Sequence, residues 1–240
     1  RYPPGYAVQE PEQSVLDWSA WGGFGGAVEM CNNNGACRKW DDGVMCPSYR
    51  ATRDERHLTR GRANSLRLAI SGQLGPDAFT SSEMFDTMAL CVGCKGCKRE
   101  CPTGVDMARM KIEFLHQYYG KHRLPIKDYL VAFLPRYAYW SGNFSVLLNL
   151  RDQIPGLAKL SELLLGFSSR RRLPRWRRDR FNAEKEIPKK STGEENAREV
   201  VLLVDTFNGC FEPENARAAL AVLTAAGYKV RCPRPLDKGR

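Results

Sequence analysis

Residues Cys91–Pro102 of this chain read CVGCKGCKRECP. The spacing is Cys-x2-Cys-x2-Cys-x3-Cys-Pro, which is typical of bacterial proteins that bind iron–sulfur clusters. Three cysteines two residues apart can wrap around one cubic cluster and bind three of its irons. Gly93 and Gly96 permit backbone conformations that larger residues disfavour, and they leave amide groups free to point at sulfur. Because Pro102 redirects the chain, we expect Cys101 to face away from its neighbours.

A second cysteine-rich stretch lies upstream at Cys31–Pro47 and reads CNNNGACRKWDDGVMCP. It also ends in Cys-Pro, and in two-cluster proteins the cysteine before that proline binds the other cluster. We therefore assign four cysteines to one cluster and call them the cluster-one cysteines: Cys46, Cys91, Cys94 and Cys97. The three others in these stretches are candidates for a second cluster, and we call them the second cysteine group: Cys31, Cys37 and Cys101.

The upstream stretch departs from the regular pattern, because its three cysteines are separated by five and by eight residues. Seven thiolates cannot fill two four-cysteine sites. Three alternatives stay open for the second site: a three-iron cluster, a cluster with a non-cysteine ligand such as Asn34, or no cluster. Zinc is the alternative for all these cysteines, since Cys-x2-Cys pairs bind it tetrahedrally. Four cysteines within eleven residues fit an iron–sulfur cluster better than the two separated pairs of a zinc site.

The segment between the two stretches is predicted to be helical. We predict one helix over Asp54–Gln73 and a second over Ser82–Leu90. A third begins near Asp106, where apolar residues recur at helical spacing. Since Cys91 lies 45 positions after Cys46, helices must join the two loops, and this favours an α-helical ferredoxin domain.

The chain divides into four predicted segments: a lead-in (1–29), an α-helical ferredoxin domain (30–123), a helical section with a basic linker (124–197) and the start of an α/β domain (198–240). In the lead-in, WGGFGG at Trp21–Gly26 lacks the flanking strand of a phosphate loop, so we predict a flexible turn. A strand at Glu199–Asp205, a helix at Pro213–Ala226 and a strand at Lys229–Arg231 predict one α/β unit. We expect a mainly α fold in a chain truncated at both ends.

The nine cysteines are clustered and no signal peptide precedes them, so metal ligands are favoured over a disulfide framework. We interpret Cys210 and Cys232 as buried or free thiols. No apolar run reaches the roughly 18–20 residues that a membrane-spanning helix needs. We expect a cytoplasmic protein, with peripheral attachment to the inner membrane as an alternative.

Positive charge is concentrated in one place. The formal net charge is +10, and Arg170–Arg180 (RRRLPRWRRDR) holds seven Arg and one Asp, a net of +6. Nucleic acid, a membrane surface and a partner domain are the candidate contacts of this run, and a solvated linker is the alternative. The cysteines are flanked by three basic residues, Lys95, Lys98 and Arg99. Cations at this place would stabilise the reduced cluster, which is more negative than the oxidised one. The alternative is that these residues form a solvated charged loop.

Three stretches of the chain resemble a known family, and they lie at 31–64, 91–115 and 202–230. They resemble the C-terminal half of bacterial FAD-linked D-2-hydroxy acid dehydrogenases, which act on D-2-hydroxyglutarate, D-lactate or similar substrates. The iron–sulfur subunit of glycolate oxidase is a more distant relative. Cys210 departs from the family pattern, since a tyrosine or another residue is expected there.

The resemblance implies a 4Fe–4S electron-transfer module of an oxidoreductase. A flavin domain of the same polypeptide, absent from this sequence, would hold FAD and oxidise the hydroxy acid. The iron–sulfur module would pass electrons singly to a quinone or a carrier protein. We therefore predict no catalytic residue in this chain. The alternatives are an iron–sulfur subunit of a heterodisulfide-reductase-like or glycerol-3-phosphate dehydrogenase complex, and, in another class, a zinc-stabilised nucleic-acid-binding module.

Overall fold

A computed structural model describes residues 5–40, 43–187 and 197–233. Within these ranges the chain forms two compact units, Arg1–Arg123 and Leu124–Arg240. The expected mainly α fold is confirmed. The α-helices of the first unit are Phe24–Glu29 (α1), Pro47–Thr52 (α2), Thr59–Ile70 (α3), Ser82–Ala89 (α4), Gly96–Glu100 (α5) and Met107–Lys121 (α6). Those of the second unit are Ile126–Ala132 (α7), Leu134–Ser141 (α8), Ser145–Asn149 (α9), Leu157–Leu165 (α10), Ala183–Glu186 (α11), Thr206–Cys210 (α12) and Pro213–Ala225 (α13).

A hydrophobic core joins α1, α3, α4 and α6 in the first unit. Leu66 of α3, Met88 of α4 and Phe114 of α6 are fully buried, and Phe24 of α1 is 1% exposed. Burying a side chain of this size contributes roughly 1.5–3 kcal/mol. This core fixes the positions of the loops that contain the cysteines.

The predicted flexible turn at Trp21–Gly26 is wrong. A 3-10 turn, Ser19–Trp21, is followed after Gly22 and Gly23 by α1, whose first N–H groups are capped by Glu10. The Glu10 carboxylate accepts hydrogen bonds from the N–H groups of Phe24 (2.8 Å) and Gly25 (2.9 Å). A Cβ at Gly26 would lie 1.9 Å from the Trp21 carbonyl oxygen, so glycine is needed there for close packing and not for mobility.

Glu113 of α6 ties the lead-in segment to the core. Its side chain is fully buried and accepts hydrogen bonds from the Ser14 hydroxyl (2.7 Å) and the Trp18 indole N–H (3.0 Å). The backbone N–H groups of Val15 (3.2 Å) and Leu16 (3.3 Å) also donate to it. Residues 5–29 therefore form an integral part of the first unit.

The predicted helix Asp54–Gln73 is shorter in the structure. Glu55–His57 forms a separate 3-10 turn, and α3 begins at Thr59. The N–H of Thr59 donates to the Cys46 sulfur at 3.0 Å and so is not available to extend the helix towards its N-terminus. The other two predicted helices are confirmed as α4, capped by Ser81, and α6, capped by Asp106.

The second unit contains two strands among its described residues, Glu199–Val201 (β1) and Lys229–Arg231 (β2). They pair in parallel with Val200 opposite Val230, as expected for an α/β unit joined by α13. The first strand ends before Asp205, because the Asp205 carboxylate caps α12. The linker residues 188–196 and the terminal residues 234–240 lie outside the described part of the chain.

The C-terminal half of the arginine run is held within the second unit. Trp176 packs on Phe211 with ring centroids 4.9 Å apart, and Arg177 forms ion pairs with Asp179 and Glu214. The N-terminal half, Arg170–Arg172, is exposed. Within 5–40, 43–187 and 197–233, the structure has no helix with the length and apolar character required to cross a membrane.

Candidate metal centre

One pocket in the first unit brings together all four cluster-one cysteines. Cys91 and Cys94 lie in the loop after α4, Cys97 lies in α5, and Cys46 immediately precedes α2. Cys46 and Cys97 are buried, whereas Cys94 is exposed at the edge of the pocket. Residues far apart in sequence thus present four thiols to one space.

The N-terminus of α3 lies against thiols of both cysteine groups. Cys46 has a left-handed backbone (φ 54°), and its sulfur lies 3.0 Å from both the N–H and the hydroxyl of Thr59. Burial raises the pKa of the Cys37 thiol, and the next N–H, that of Arg60, opposes this shift. The first N–H groups of a helix have no partner inside it, and here the Cys46 sulfur accepts the first of them.

Helix α6 has a related arrangement, since the N–H of Met107, its first residue, lowers the pKa of the Cys97 thiol. Met107 and its neighbour Ala108 also line the pocket and give it an apolar wall. Hydrogen bonds to sulfur and exclusion of water are two means by which a protein sets the potential of an iron–sulfur cluster.

Burial disfavours the charged form of the inner thiols. It raises the pKa of the Cys97 thiol, and the nearby Cys46 and Cys91 add to this while the Met107 N–H opposes it. Burial likewise raises the pKa of the Cys46 thiol, although the two Thr59 hydrogen bonds lower it. Because metal ligands must be thiolates, binding at this pocket would release protons.

Glu100 holds the loop that leads to Cys46, and the sequence alone gave no sign of this role. Its carboxylate accepts hydrogen bonds from the N–H groups of Val44 (2.7 Å) and Met45 (3.0 Å). A Cβ at Gly96 would lie only 3.1 Å from the Val44 side chain, so glycine lets α5 approach this loop closely. Cys46 of the upstream stretch is thereby fixed next to α5 of the downstream stretch.

The second cysteine group is brought together less completely. The Cys37 thiol is buried within electrostatic range of Cys31 and Cys46. Its turn, Ala36–Arg38, packs against α5, whose C-terminal cap is Cys101. The side-chain oxygen of Asn34 accepts the Ala36 N–H at 2.9 Å and so already has a backbone partner.

Cys101 lies in a cradle of hydrogen-bond donors. Burial alone would raise the pKa of its thiol, but the Thr103 hydroxyl and the N–H groups of Thr103, Gly104 and Val105 lower it below the ordinary value. Several backbone N–H groups around one acceptor stabilise a negatively charged ligand. Cys101 is therefore suited to act as a thiolate.

The spacing of the thiols differs from that of a zinc site. Tetrahedral Zn–S bonds of about 2.3 Å would hold four sulfurs about 3.8 Å apart. Across the described ranges of the chain, no three His, Cys, Asp or Glu side chains are close enough to share a single metal ion. A cubic cluster would bind its ligands at separate iron corners and so does not require four sulfurs this close together.

The remaining cysteines lie in the second unit and are not paired with each other. Cys210 is buried beside Ala138 and Phe211, and Cys232 is partly buried near β2. Both are free thiols, in agreement with the sequence-based interpretation.

Residues 27–105 match the family described as the 4Fe-4S dicluster domain, and all seven cysteines of the two stretches lie inside this range. The resemblance inferred from the sequence is confirmed. D-2-hydroxyglutarate dehydrogenase from Pseudomonas putida is 28% identical over 261 residues, covering 90% of this chain and 25% of that protein. D-2-hydroxyglutarate dehydrogenase from Escherichia coli is 28% identical over 176 residues, covering 59% of this chain and 17% of that protein.

A second kind of relative is an iron–sulfur subunit. The probable glycolate oxidase iron-sulfur subunit of Bacillus subtilis is 31% identical over 83 residues, covering 33% of this chain and 18% of that protein. The chain thus spans a quarter or less of the length of these curated relatives. No solved structure matches this chain. The chain is thus similar to parts of D-2-hydroxyglutarate dehydrogenases and to part of an iron–sulfur subunit, and its residues 27–105 match a 4Fe-4S dicluster domain.

Proposed function

We propose that this chain is the iron–sulfur electron-transfer module of a flavin-dependent D-2-hydroxy acid dehydrogenase. The observation that supports this most strongly is the pocket lined by the four cluster-one cysteines. The similarity to D-2-hydroxyglutarate dehydrogenases points to the same class of protein.

In this proposal the cluster-one cysteines would hold one 4Fe–4S cluster. A bound cluster of this type takes up and releases one electron at a time. Cys46 and Cys97 hold the buried side, Thr59 donates hydrogen bonds there, and Met107 keeps water out. Cys94 is exposed, so an electron donor or acceptor can approach the pocket from its side.

The second cysteine group would hold a further cluster with three cysteine ligands. The dicluster family match and the donors around Cys101 support this assignment. Three thiolates suit a three-iron cluster, or a four-iron cluster whose last iron binds another ligand.

Anaerobic purification followed by iron and acid-labile sulfide analysis tests the metal assignment. We expect about four irons per chain for one cluster and about seven or eight for two. Electron paramagnetic resonance of the oxidised and of the dithionite-reduced protein separates the two types, because a three-iron cluster gives its half-integer-spin signal when oxidised and a four-iron cluster when reduced. A colourless protein that contains zinc and no sulfide would refute the proposal and favour the nucleic-acid-binding alternative.

A flavin domain on the same polypeptide is the proposed electron donor. The complete polypeptide should be reduced by D-2-hydroxyglutarate or D-lactate, and the flavin and cluster absorbance should bleach together. If the full gene product lacks a flavin domain, the chain would instead serve a separate multi-subunit complex, such as a heterodisulfide-reductase-like one.

For the acceptor side, we propose contact with an anionic membrane surface. Arg170–Arg172 are exposed and line one cleft with Ala158 of α10, a helix whose Leu163 and Leu164 are also exposed. Cationic side chains beside exposed apolar ones suit the lipid interface. Binding of the iron-loaded chain to anionic vesicles but not to neutral vesicles would support this, with loss of binding after Arg170, Arg171 and Arg172 are changed to Gln. Equal behaviour with both vesicle types would indicate a protein acceptor.

A further inference from the structure

Arg62 of α3 is a buried cation beside the pocket of the cluster-one cysteines. It lines that pocket and its exposed fraction is 1%. Its guanidinium donates hydrogen bonds to the carbonyl oxygens of Thr87 (2.9 Å) and His57 (2.6 Å) and to the Ser48 hydroxyl (3.1 Å). These acceptors are uncharged, so they satisfy the donors of Arg62 without neutralising its charge.

Lys111 of α6 is a second cation at the same place. Its ammonium group donates to the carbonyl oxygens of Cys91 (2.7 Å) and Ala89 (3.0 Å), at the start of the loop that contains Cys91 and Cys94. Burial lowers the pKa of Lys111, and the Cys91 thiolate opposes this shift. Lys111 therefore lies within electrostatic range of a cluster-one cysteine.

Neither cation has an acidic partner in the described part of the chain, where the ion pairs of this region involve other residues. Lys95 and Lys98, which flank the cysteines in sequence, both pair with Asp106 and are more than half exposed. Asp106 can compensate one of these two charges, and solvent screens both because the side chains are exposed. The cations that sequence proximity suggests are therefore paired and solvent-screened, whereas Arg62 and Lys111 have neither an acidic partner in the described residues nor full exposure to solvent.

A buried cation without a counter-charge is strongly disfavoured. The negative groups that act on Arg62 are the thiolates of Cys91, Cys46 and Cys97. These are three of the four cluster-one cysteines. The fold has therefore placed two cations where a negatively charged group bound by these cysteines would compensate them.

We propose that Arg62 and Lys111 are positioning residues that raise the reduction potential of the cluster held by the cluster-one cysteines; this inference rests on the proposed function. A four-iron cluster with its four thiolates has a charge of about −2 when oxidised and about −3 after it accepts one electron. Since no proton is taken up, the reduced form gains more from two fixed positive charges than the oxidised form does. The cations thereby favour the reduced state.

Four variants of the anaerobically purified chain test this proposal in a dithionite titration followed by electron paramagnetic resonance. Arg62→Gln and Lys111→Gln each remove one charge, and Arg62→Lys keeps it. Lys121→Gln is the matched control, because it removes a charge from the same helix about 15 Å further along the axis. That distance exceeds the screening length of about 8 Å at physiological ionic strength.

We expect Arg62→Gln to lower the equilibrium constant for one-electron reduction about tenfold, which is about 59 mV for a one-electron couple. Lys111→Gln should lower the same equilibrium constant by between threefold and tenfold, because Lys111 is less buried than Arg62. Arg62→Lys and Lys121→Gln should stay within about twofold of the wild-type value, or about 18 mV.

Iron-loaded Arg62→Gln and Lys111→Gln proteins with potentials within twofold of wild type would overturn the inference. If Arg62→Gln does not retain iron, Lys111→Gln decides by the threefold criterion. The proposed function fails separately, when the wild-type chain itself contains no iron and no sulfide. Iron-loaded variants with unchanged potentials refute only the role of the two cations.

Discussion

The cluster-one cysteines and the second cysteine group share their loops but differ in construction. The cluster-one cysteines include Cys46 from the upstream stretch, and the second cysteine group includes Cys101 from the downstream stretch. The first group lines one pocket with buried Arg62 and apolar walls. The second group supplies three thiols, and the strongest donors surround Cys101. The regular downstream spacing thus sets up one complete ligand set, whereas the irregular upstream spacing leaves the other short by one cysteine.

The two groups are nevertheless linked through α3. Its first N–H donates to the Cys46 sulfur and its second lowers the pKa of the Cys37 thiol, so one helix end acts on both groups. A ligand substitution should therefore affect its own cluster, while a change in the shared scaffold should affect both. Substitutions of ligands and of scaffold residues test this distinction.

The largest effect is expected from Cys46→Ser compared with Cys31→Ser. Cys46→Ser should remove about four irons per chain, because it deletes a ligand of the complete set. Cys31→Ser should leave those irons in place and remove only iron held by the second group. Iron and sulfide per chain, with electron paramagnetic resonance, measure both outcomes. Loss of all iron in both variants would show that the two groups form a single site.

Glu113→Gln should weaken the scaffold without touching a ligand. The substitution replaces a buried carboxylate that accepts several hydrogen bonds, so the free energy of unfolding should fall by about 2 kcal/mol. Urea denaturation measures the change, and Glu12→Gln, at an exposed position, is the control. A folded Glu113→Gln protein should keep both clusters. Selective loss of one cluster would mean that the lead-in serves that site alone.

The same residue predicts a pH dependence. Burial alone would raise the pKa of Glu113, but hydrogen bonds from Trp18, Gln117, Ser14 and Val15 lower it below its ordinary value. The unfolded chain therefore binds the proton more tightly than the folded chain. The stabilisation by Glu113 is present above the unfolded pKa of about 4.3 and is lost as the pH falls through the lower, folded value. The free energy of unfolding, measured from denaturation curves between neutral and acidic pH, should fall more steeply with decreasing pH for the wild type than for Glu113→Gln.

Glu100→Gln should have an intermediate and one-sided effect. It weakens the hydrogen bonds that hold Val44 and Met45 next to Cys46. We expect cluster-one iron to be released to a chelator severalfold faster, with less effect on iron bound by the second group. Stopped-flow absorbance with a chelator gives both rates. Equal acceleration at both sites would show that α5, and not the loop before Cys46, is what Glu100 stabilises.

The smallest effect is expected from Thr59→Val. This change removes the hydroxyl near the Cys46 sulfur and keeps the N–H and the shape of the side chain. Losing one neutral hydrogen bond should lower the potential of the cluster-one site by roughly 20 to 60 mV. Thr224→Val removes a comparable hydroxyl from α13 in the other unit and should leave the potential unchanged. No shift in Thr59→Val would mean that the N–H alone sets this contribution.

Much of the helical structure could be predicted because its signals are local. The sequence predicts one helix from Ser82 and another from near Asp106, and in the structure α4 begins at Ser82 and Asp106 is the N-cap of α6. The start of α3 could not be predicted, because it depends on a hydrogen bond between Thr59 and a cysteine thirteen residues away. The folded structure of the lead-in segment could not be predicted for a similar reason. It depends on hydrogen bonds that the Glu10 carboxylate and the Glu113 carboxylate, distant in sequence, accept from this segment.

The sequence by itself predicts which cysteines belong together, because a cubic cluster demands a regular local spacing and a Cys-Pro exchange between two loops, and in the structure the first four line one pocket. Only the tertiary structure decided which charges act on them. Lys95 and Lys98 are close in sequence but share Asp106 and are exposed to solvent, while Arg62 is buried and Lys111 partly buried, and neither has an acidic partner in the described residues. Charge compensation depends on distance and burial in three dimensions, and neither can be counted along the chain.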